Sequence, residues 1–280
     1  MGQGSVSVVT VTFNSAHIVR TALSAFSPDV EVICVDNASS DDLDTALEGL
    51  NVRRINNPVN VGFGRACNQG LAAASGEFVL FINPDVVFEK DTLSALLDAA
   101  KRYPDCGVFL PLTRRPDGTL WLRNSAAGLR LQRKGRDDAD QIAGDFCTQF
   151  LDGSVFMIRR SLFLEIGGFD ENIFLYYEDD DFSRRLQAKK APIIVVANAN
   201  SSHAIGKSVP NSVNYNFNRN KHKKISEIYY KRKYNIRYSS SVDFVNHLLK
   251  VVVYAVTLDR MRLAGALGRL VGVFSHITKR

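Results

Sequence analysis

Short apolar runs alternate with amphipathic stretches over the first hundred residues. The runs VSVVTVTF, VEVICVD, VRRINN and EFVLFINPD have the β-branched and aromatic content of strands. Between them, AHIVRTALSAF, SSDDLDTALEGL, GFGRACNQGLAAASG and KDTLSALLDAAKRYP carry apolar residues at helical spacing. Because strands and helices alternate, the sequence predicts an α/β fold with βαβ units around a mostly parallel central sheet.

The pattern is less regular beyond this region, and residues 111–150 give no clear element. SVFMIRR is strand-like, SLFLEIGGF is a short helix ended by two glycines, a further helix begins near Glu178, and APIIVVANANSSH is a strand ending near His203. The composition changes near residues 205–210, where Asn, Lys and Arg become frequent.

These changes predict a main α/β domain followed by a helical extension. The domain covers residues 1–206, and the basic, amphipathic extension covers 207–280.

Charge is distributed unevenly between these parts. The chain carries a net charge of +6. Residues 205–280 hold 15 Lys and Arg against 3 Asp and Glu, a net of +12, so the remainder is −6. A basic tail on an acidic body predicts an anionic surface as partner. The tail stretches FVNHLLKVVVYAVTL and MRLAGALGRLVGVF are interrupted by charges, so two interpretations stay open: amphipathic helices on a membrane surface, or helices packed on the body.

Several function classes are disfavoured. The four cysteines form no CxxC pair, which argues against a zinc site or a disulfide framework and favours a reducing compartment. No GxGxxG follows the first strand and no GxxxxGK[ST] occurs, which disfavours a dehydrogenase or a P-loop enzyme. A strand-like run starts almost at once, so we expect no signal peptide and a cytoplasmic location.

Polar residues follow each of the first four strands. At any one strand end, such residues are explained by the turn that Asn, Asp and Gly commonly form. Polar residues at all four strand ends together favour a polar ligand at the carboxyl edge of the sheet. Asp36 at a strand end is suited to bind a base or ribose, and the spacing of Asn83 and Asp85 suits a hard divalent cation. The polar residues in question are Thr12, Asn14, Asp36, Asn37, Asn60, Asn83 and Asp85.

The acidic run EDDD at 178–181 opens the helix that begins near Glu178. Asp180 and Asp181 each have an arginine four residues later, which predicts two ion pairs. Glu178 and Asp179 have no such arginine, and a carboxylate facing a cleft is a candidate general base. Ordinary helix-start acids remain the alternative. His203, after the next strand, is either structural or a nitrogen ligand for a cation.

Taken together, six stretches resemble the family 2 glycosyltransferases, in particular the bacterial rhamnosyltransferase-like branch. They are VSVVTVTFNS, VICVDNASSDD, NVGFGRACNQG, VLFINPDV, DGSVFMIRRSLFLEIGGFDENIFLYYEDDDFSRRL and SSHAIGKS, in family order over residues 5–208. The resemblance implies a GT-A fold and an inverting transfer of a sugar from a nucleotide-diphosphate donor to a hydroxyl group. It also implies that residues 1–206 are the catalytic domain, with a nucleotide-binding half at 1–105 and an acceptor and catalytic half at 106–206.

The resemblance also implies roles for individual residues. Asp179 would be the base, Asp85 would bind Mg²⁺ or Mn²⁺, and His203 would complete the metal shell. Asn83 stands where the family has an acid, which puts its metal contact in doubt. The donor pocket would contain Thr12, Asn14, Asp36, Asn60, Arg65, Asn83 and Asp85, and the sugar and acceptor pocket would contain Asp152, Gly153 and Glu178.

The implied partners are a UDP- or dTDP-sugar, with rhamnose among the candidate sugars, and a glycan or lipid-linked acceptor of cell-surface polysaccharide synthesis. The tail would hold the enzyme peripherally on the inner face of the plasma membrane, without nucleic acid. Two alternatives stay open. A sugar nucleotidyltransferase would carry a Gly-rich basic loop after the first strand, where this chain has TFNSAHI. A nucleic-acid binder would use the tail sequence RNKHKKISEIYYKRKYNIRY.

Overall fold

The computed structural model describes residues 5–122, 142–204, 206 and 208–277. The chain forms two compact units. Unit 1 consists of Met1–Phe169 and Asp179–Val209, and unit 2 consists of Asp170–Glu178 and Pro210–Arg280. The functional division into domains at residue 206 stays a prediction.

Unit 1 is built on one sheet of nine strands within the described residues. The strands are β1 (Val6–Thr12), β2 (Glu31–Asp36), β3 (Val52–Asn56), β4 (Phe78–Ile82), β5 (Val86–Phe88), β6 (Val108–Arg114), β7 (Phe146–Thr148), β8 (Val155–Arg159) and β9 (Ile193–His203).

Six helices accompany these strands in the part of unit 1 that the structure describes. They are α1 (Ala16–Leu23), α2 (Leu43–Leu47), α3 (Phe63–Ala73), α4 (Thr92–Arg102), α5 (Arg160–Ile166) and α6 (Glu178–Ala188). The predicted α/β class is confirmed, since every strand and helix foreseen in the first hundred residues is present.

The strand order brings the carboxyl ends of most strands to one edge. The order is β3-β2-β1-β4-β8-β6-β9-β5, with β7 also paired to β9. Strands β1, β2, β3, β4, β6 and β9 run in one direction, so the sheet is mostly parallel as predicted. Strand β8 is antiparallel to both of its neighbours, β4 and β6. Its amino end therefore lies beside the carboxyl end of β4, and this edge carries the candidate site.

Each face of the sheet is covered by a separate hydrophobic cluster. On one face, Val19 of α1 and Leu96 of α4 are fully buried. On the other face, Phe163 of α5 and Phe182 of α6 are fully buried beside Phe81 of β4. Burial on both sides explains why β4 is apolar at every position.

Strand β6 leads into a tight hairpin that the sequence pattern did not predict. Backbone bonds join Trp121 N–H to the Thr113 carbonyl at 2.8 Å and Arg115 N–H to the Thr119 carbonyl at 2.8 Å. Gly118 takes a φ of 82° in the turn, a conformation that favours glycine. The hairpin places the side chain of Trp121 at the same edge of the sheet. The rest of the irregular region, residues 123–141, lies outside the described residues.

The acidic run divides into structural and candidate functional members. Asp181 is completely buried, and its Oδ2 accepts from Nε of Arg185 at 2.8 Å, as the spacing predicted. Nη1 of Arg185 also donates to the carbonyls of Ile166 at 2.9 Å and Gly168 at 2.6 Å. This arginine ties α6 to the end of α5. The second predicted pair, Asp180 with Arg184, stays a prediction.

Replacing Asp181 with alanine is expected to lower the free energy of unfolding by about 3 kcal/mol, because the Arg185 charge would lose its buried carboxylate. Urea unfolding followed by circular dichroism measures the change. Asp98→Ala is the matched control, since Asp98 pairs with Lys101 on the exposed face of α4 and should cost less than about 1 kcal/mol. Equal losses in the two variants would contradict this assignment.

Unit 2 packs three helices with the loop Asp170–Glu178. The helices are α7 (Val213–Lys233), α8 (Ser240–Val256) and α9 (Arg260–Ile277). Asp170 holds the loop to α7, accepting from the hydroxyl of Tyr229 at 2.9 Å and from Nζ of Lys233 at 2.6 Å. No helix among the described residues is long and apolar enough to cross a membrane.

Candidate active site

The predicted polar residues of the first two strands meet at the carboxyl edge of the sheet. Thr12 and Asp36 are register partners at the ends of β1 and β2. The Asp36 carboxylate is buried and accepts from the Thr12 hydroxyl at 3.2 Å and from the Ser39 hydroxyl at 2.5 Å. These bonds fix the orientation of the carboxylate. Ser39 is a residue that the sequence analysis did not single out.

Asn14 connects the loops that follow β1 and β2. Its backbone N–H donates to the Ser39 hydroxyl at 2.9 Å, and its Oδ1 accepts from the Ser40 backbone at 2.7 Å. Asn14 adopts a φ of 52°, which asparagine tolerates better than most residues. The two loops are therefore held as one polar surface beside Asp36.

The third strand end is organised by amide side chains. Nδ2 of the buried Asn57 donates to Oδ1 of Asn37 at 3.0 Å and to Oε1 of Gln69 on α3 at 2.9 Å. Oδ1 of Asn60 accepts from the Gly62 N–H at 3.0 Å, which is the local turn role expected of asparagine. Arg65 is exposed on α3. Asn60 thus shapes the start of α3, and donor contacts of Asn60 and Arg65 stay predictions.

Asp85 and His203 form a buried pair across β5 and β9. His203 opposes Val86 in the strand register, and its Nε2 lies 3.4 Å from Oδ1 of Asp85. Only 1% of Asp85 and 7% of His203 is exposed. Burial alone would raise the pKa of Asp85, but the hydrogen bond and charge of His203, with a hydrogen bond from Ser208, hold that pKa below its usual value. Asp85 is therefore a carboxylate at neutral pH.

The pair fits two ligands of a divalent cation. Carboxylate oxygen and imidazole nitrogen bind such ions at about 2.0–2.2 Å, so two adjacent ligands stand about 3 Å apart. The 3.4 Å separation is close to this spacing. Nδ1 of His203 is buried and has no hydrogen-bond partner within the described part of the chain. No cluster of three His, Cys, Asp or Glu residues suited to a metal occurs there either. A diphosphate and water are suited to supply further ligands, as is common for Mg²⁺.

Asn83 contributes to this corner of the site through its backbone. Its N–H donates to the Ser154 carbonyl at 2.8 Å, and its carbonyl accepts from the Val86 N–H at 3.1 Å. These bonds hold the turn that presents Asp85. The Asn83 side chain is half-buried, and its role in donor binding stays a prediction.

Trp121 links the cation pair to the start of β8. Its indole N–H donates to Oδ2 of Asp152, and its ring meets the ring of His203 edge-on, with centroids 6.2 Å apart. Oδ1 of Asp152 accepts from the backbone N–H of Ser154 at 2.8 Å and from its hydroxyl at 2.6 Å. Trp121 was not predicted as a site residue, although it is the only tryptophan in the chain and follows a Pro-Asp-Gly turn.

Asp179 lies against the next residue of the same segment, Gly153. A Cβ atom on Gly153 would come within 3.3 Å of Cβ of Asp179 and 3.9 Å of its Oδ2. The buried Ser183 fixes this approach, because its hydroxyl donates to the Asp179 carbonyl at 2.6 Å and accepts from the Leu151 N–H at 2.9 Å. Asp179 is half-buried near the amino end of α6, where the helix dipole favours negative charge.

The structure thus brings the predicted residues of unit 1 to one edge of the sheet. A series of contacts runs from Asp85 through His203 and Trp121 to Asp152. The next residue in the chain, Gly153, lies against Asp179 and completes the series. Glu178 is buried but groups with unit 2 rather than with Asp179.

Gly153→Ala is expected to lower turnover about tenfold while leaving nucleotide affinity unchanged. The new methyl group would push the Asp179 side chain away by a few tenths of an ångström, and catalytic rates are sensitive to such displacements. Release of nucleoside diphosphate and nucleotide binding measure the two effects. Gly144→Ala is the control, because nothing lies within 4 Å of its Cβ position. Full turnover by Gly153→Ala would count against a role for Asp179.

Two solved structures define the class of the fold. The mannosyltransferase PcManGT from Pyrobaculum calidifontis, in complex with GDP-Man and Mn²⁺, aligns over 100% of this chain and 89% of its own, with a TM-score of 0.56 and 15% identity. S. aureus TarS 1-349 in complex with UDP-GlcNAc aligns over 97% of this chain and 92% of its own, with a TM-score of 0.52 and 18% identity. The fold is that of the GT-A glycosyltransferases, as predicted.

Sequence similarity then identifies the family. The family model described as glycosyl transferase family 2 matches residues 7–167, more than half of the chain. A similar protein from Mycobacterium tuberculosis, named N-acetylglucosaminyl-diphospho-decaprenol L-rhamnosyltransferase, is 32% identical over 218 residues, covering 64% of this chain and 69% of that protein. The chain belongs to glycosyl transferase family 2, and its activity is sugar transfer.

Proposed function

We propose that the protein is an inverting glycosyltransferase that moves a sugar from a UDP- or dTDP-sugar to a hydroxyl group of a glycan or lipid-linked acceptor. The observation that carries this proposal is the series of contacts from Asp85 to Asp179. It puts the candidate cation ligands and the candidate base at the same edge of the sheet, where open α/β sheets bind ligands.

The nucleotide would be held at the ends of β1 and β2. The Asp36 carboxylate, oriented by Thr12 and Ser39, is suited to accept a hydrogen bond from an N–H of a pyrimidine base. The polar loop containing Asn14 borders the same position, and Arg65, exposed in the first turn of α3, would supply positive charge. Uracil and thymine share this N–H group, so Asp36 does not distinguish UDP- from dTDP-sugars.

The proposed reaction uses the carboxylates at the two ends of this series of contacts, Asp85 and Asp179. A divalent cation, Mg²⁺ or Mn²⁺, held by Asp85 and His203 would supply charge stabilisation for the departing diphosphate. Asp179 accepts the proton of the acceptor hydroxyl while that oxygen bonds to the anomeric carbon. The bond from this carbon to the diphosphate oxygen breaks on the opposite side, so the configuration is inverted and no covalent sugar–enzyme intermediate forms.

Asp152 is suited to bind a sugar or acceptor hydroxyl. Its carboxylate is held by Trp121 and Ser154 immediately before Gly153, so it stands between the cation pair and Asp179 along the chain of contacts. Rhamnose is the first sugar to test, because the M. tuberculosis relative is named an L-rhamnosyltransferase.

A lipid-linked acceptor would place the enzyme at a membrane. The name of the same relative specifies a decaprenol-linked sugar. Residues 205–280 carry a net charge of +12, which favours an anionic membrane surface. We therefore propose a peripheral location on the inner face of the plasma membrane, in cell-surface polysaccharide synthesis.

A thermal-shift panel tests the donor and the metal together. UDP-, dTDP- and GDP-sugars are each added with and without Mn²⁺. We expect a pyrimidine nucleotide sugar with Mn²⁺ to raise the unfolding temperature most, because only ligands of the folded state stabilise it. Stabilisation by the GDP-sugar alone would refute the proposal that the donor carries a pyrimidine base. Equal shifts with and without Mn²⁺ would refute metal dependence.

A further inference from the structure

Helix α8 turns its apolar side chains outward. Six of them, exposed between 52% and 78%, follow helical spacing along one side: Val242, Val245, Leu249, Val252, Val253 and Val256. Single exposed apolar residues are ordinary on protein surfaces, but a continuous stripe of this length marks an interaction surface.

Two polar side chains of the same helix, Asp243 and His247, point inward. His247 is 3% exposed, and its Nε2 lies 3.3 Å from Oδ1 of Asp243 one turn earlier. Oδ2 of Asp243 accepts from Nζ of Lys224 on α7 at 2.8 Å and from the Tyr238 hydroxyl at 2.9 Å. A helix that faces water on its outer side has the opposite arrangement. The outer face of α8 therefore matches an apolar medium.

The charges around the apolar stripe of α8 indicate what kind of partner covers it. Arg237 precedes α8, Lys250 lies within it and Arg260 follows it, and all three are exposed. Residues 205–280 carry a net charge of +12, so pairing with a second copy of this face would bring like charges together. An anionic bilayer offers an apolar layer beneath negative headgroups and complements both features.

We propose that the outer face of α8 binds the surface of an anionic phospholipid bilayer. The helix lies in the plane of the membrane, with the stripe at the boundary between headgroups and acyl chains and the three basic side chains among the headgroups. Its 17 residues give a contact about 25 Å long. This assignment deepens the proposed function and rests on it for the lipid-linked acceptor that the contact would bring within reach.

Vesicle co-sedimentation tests the assignment on the full chain. The vesicles contain phosphatidylcholine with or without phosphatidylglycerol, and the variants are Leu249→Glu and Val252→Glu. We expect the unaltered protein to bind the anionic vesicles and each variant to lower the partition coefficient about tenfold. Leu164→Glu is the matched control and should bind normally, because Leu164 is an exposed leucine of α5 in unit 1.

Each outcome has a distinct meaning. Binding by both variants at the level of the unaltered protein overturns the assignment, as does equal loss in the Leu164→Glu control. Light scattering measures whether α8 instead binds a second copy of the chain. The assignment is also overturned if the unaltered protein forms a dimer that the α8 variants dissociate and does not bind vesicles. Both substituted side chains are more than half exposed, so circular dichroism and the unfolding temperature should stay unchanged.

The vesicle experiment needs no substrate, so it is independent of the donor panel. Vesicle binding without stabilisation by any nucleotide sugar leaves the membrane face standing and refutes the proposed donor. Stabilisation by a nucleotide sugar without vesicle binding refutes the membrane face alone.

Discussion

Asp179→Asn is expected to reduce sugar transfer by about 10³-fold while nucleotide affinity and stability remain unchanged. The amide keeps the size of the carboxylate and its bond from the Asp180 N–H, but it cannot take the proton of the acceptor hydroxyl. General base catalysis accounts for about 10²–10⁴-fold in rate. Single-turnover release of nucleoside diphosphate in the presence of acceptor measures the loss.

The matched control is Asp98→Asn, which makes the same chemical change on the exposed face of α4. We expect this variant to turn over at the normal rate. If Asp179→Asn also turned over at the normal rate, the base would be another residue, and the contact with Gly153 would be structural. A loss of folding rather than of rate would be visible as a lower unfolding temperature.

Asp85→Asn is expected to weaken Mn²⁺ binding about 100-fold and to lower turnover by at least as much. The change removes a charged oxygen ligand and leaves the volume of the side chain intact. Because the pKa of Asp85 lies below its usual value, its carboxylate is ionised throughout the neutral range, so protonation of Asp85 does not weaken cation binding there. His203→Ala should act in the same direction through the loss of the nitrogen ligand.

The single tryptophan gives a readout that does not depend on activity. Trp121 meets the ring of His203 with centroids 6.2 Å apart, so paramagnetic Mn²⁺ bound at His203 would quench its fluorescence. We expect saturable quenching in the unaltered protein with nucleotide diphosphate, and its loss in Asp85→Asn. Asp44→Asn on the exposed surface is the control. Quenching that persists in Asp85→Asn would place the cation elsewhere, and stronger quenching in Asn83→Asp would show that residue 83 can reach the metal.

The four consecutive acids at 178–181 show how far sequence spacing can distinguish a structural carboxylate from a candidate catalytic one. The pairing of Asp181 with Arg185 was predictable, since residues four apart on a helix are neighbours whatever surrounds them. The contact of Asp179 with Gly153 joins residues 26 positions apart and depends on how α6 packs beside β8. Spacing alone therefore could not connect Asp179 with Gly153.

The polar ends of β1, β2 and β4 were also predictable. A strand buried on both faces is predominantly apolar, so the polar residues that follow it mark both the end of the strand and the edge of the sheet. This logic found Thr12, Asp36 and Asp85. It could not find Trp121, because the hairpin that carries it has no periodic pattern and its partners Asp152 and His203 come from distant strands.

Helix α8 shows most clearly which features the sequence determined and which the tertiary structure decided. The sequence by itself determined an amphipathic helix with one apolar and one polar side, because helical periodicity is a local property. Only the tertiary structure decided that Asp243 and His247 face inward: Lys224 of α7 binds Asp243 there, and a helix can present either side to its neighbours until they pack. In the same way, the sequence determined strand ends rich in oxygen ligands, and the antiparallel insertion of β8 between β4 and β6 decided which of them share a site.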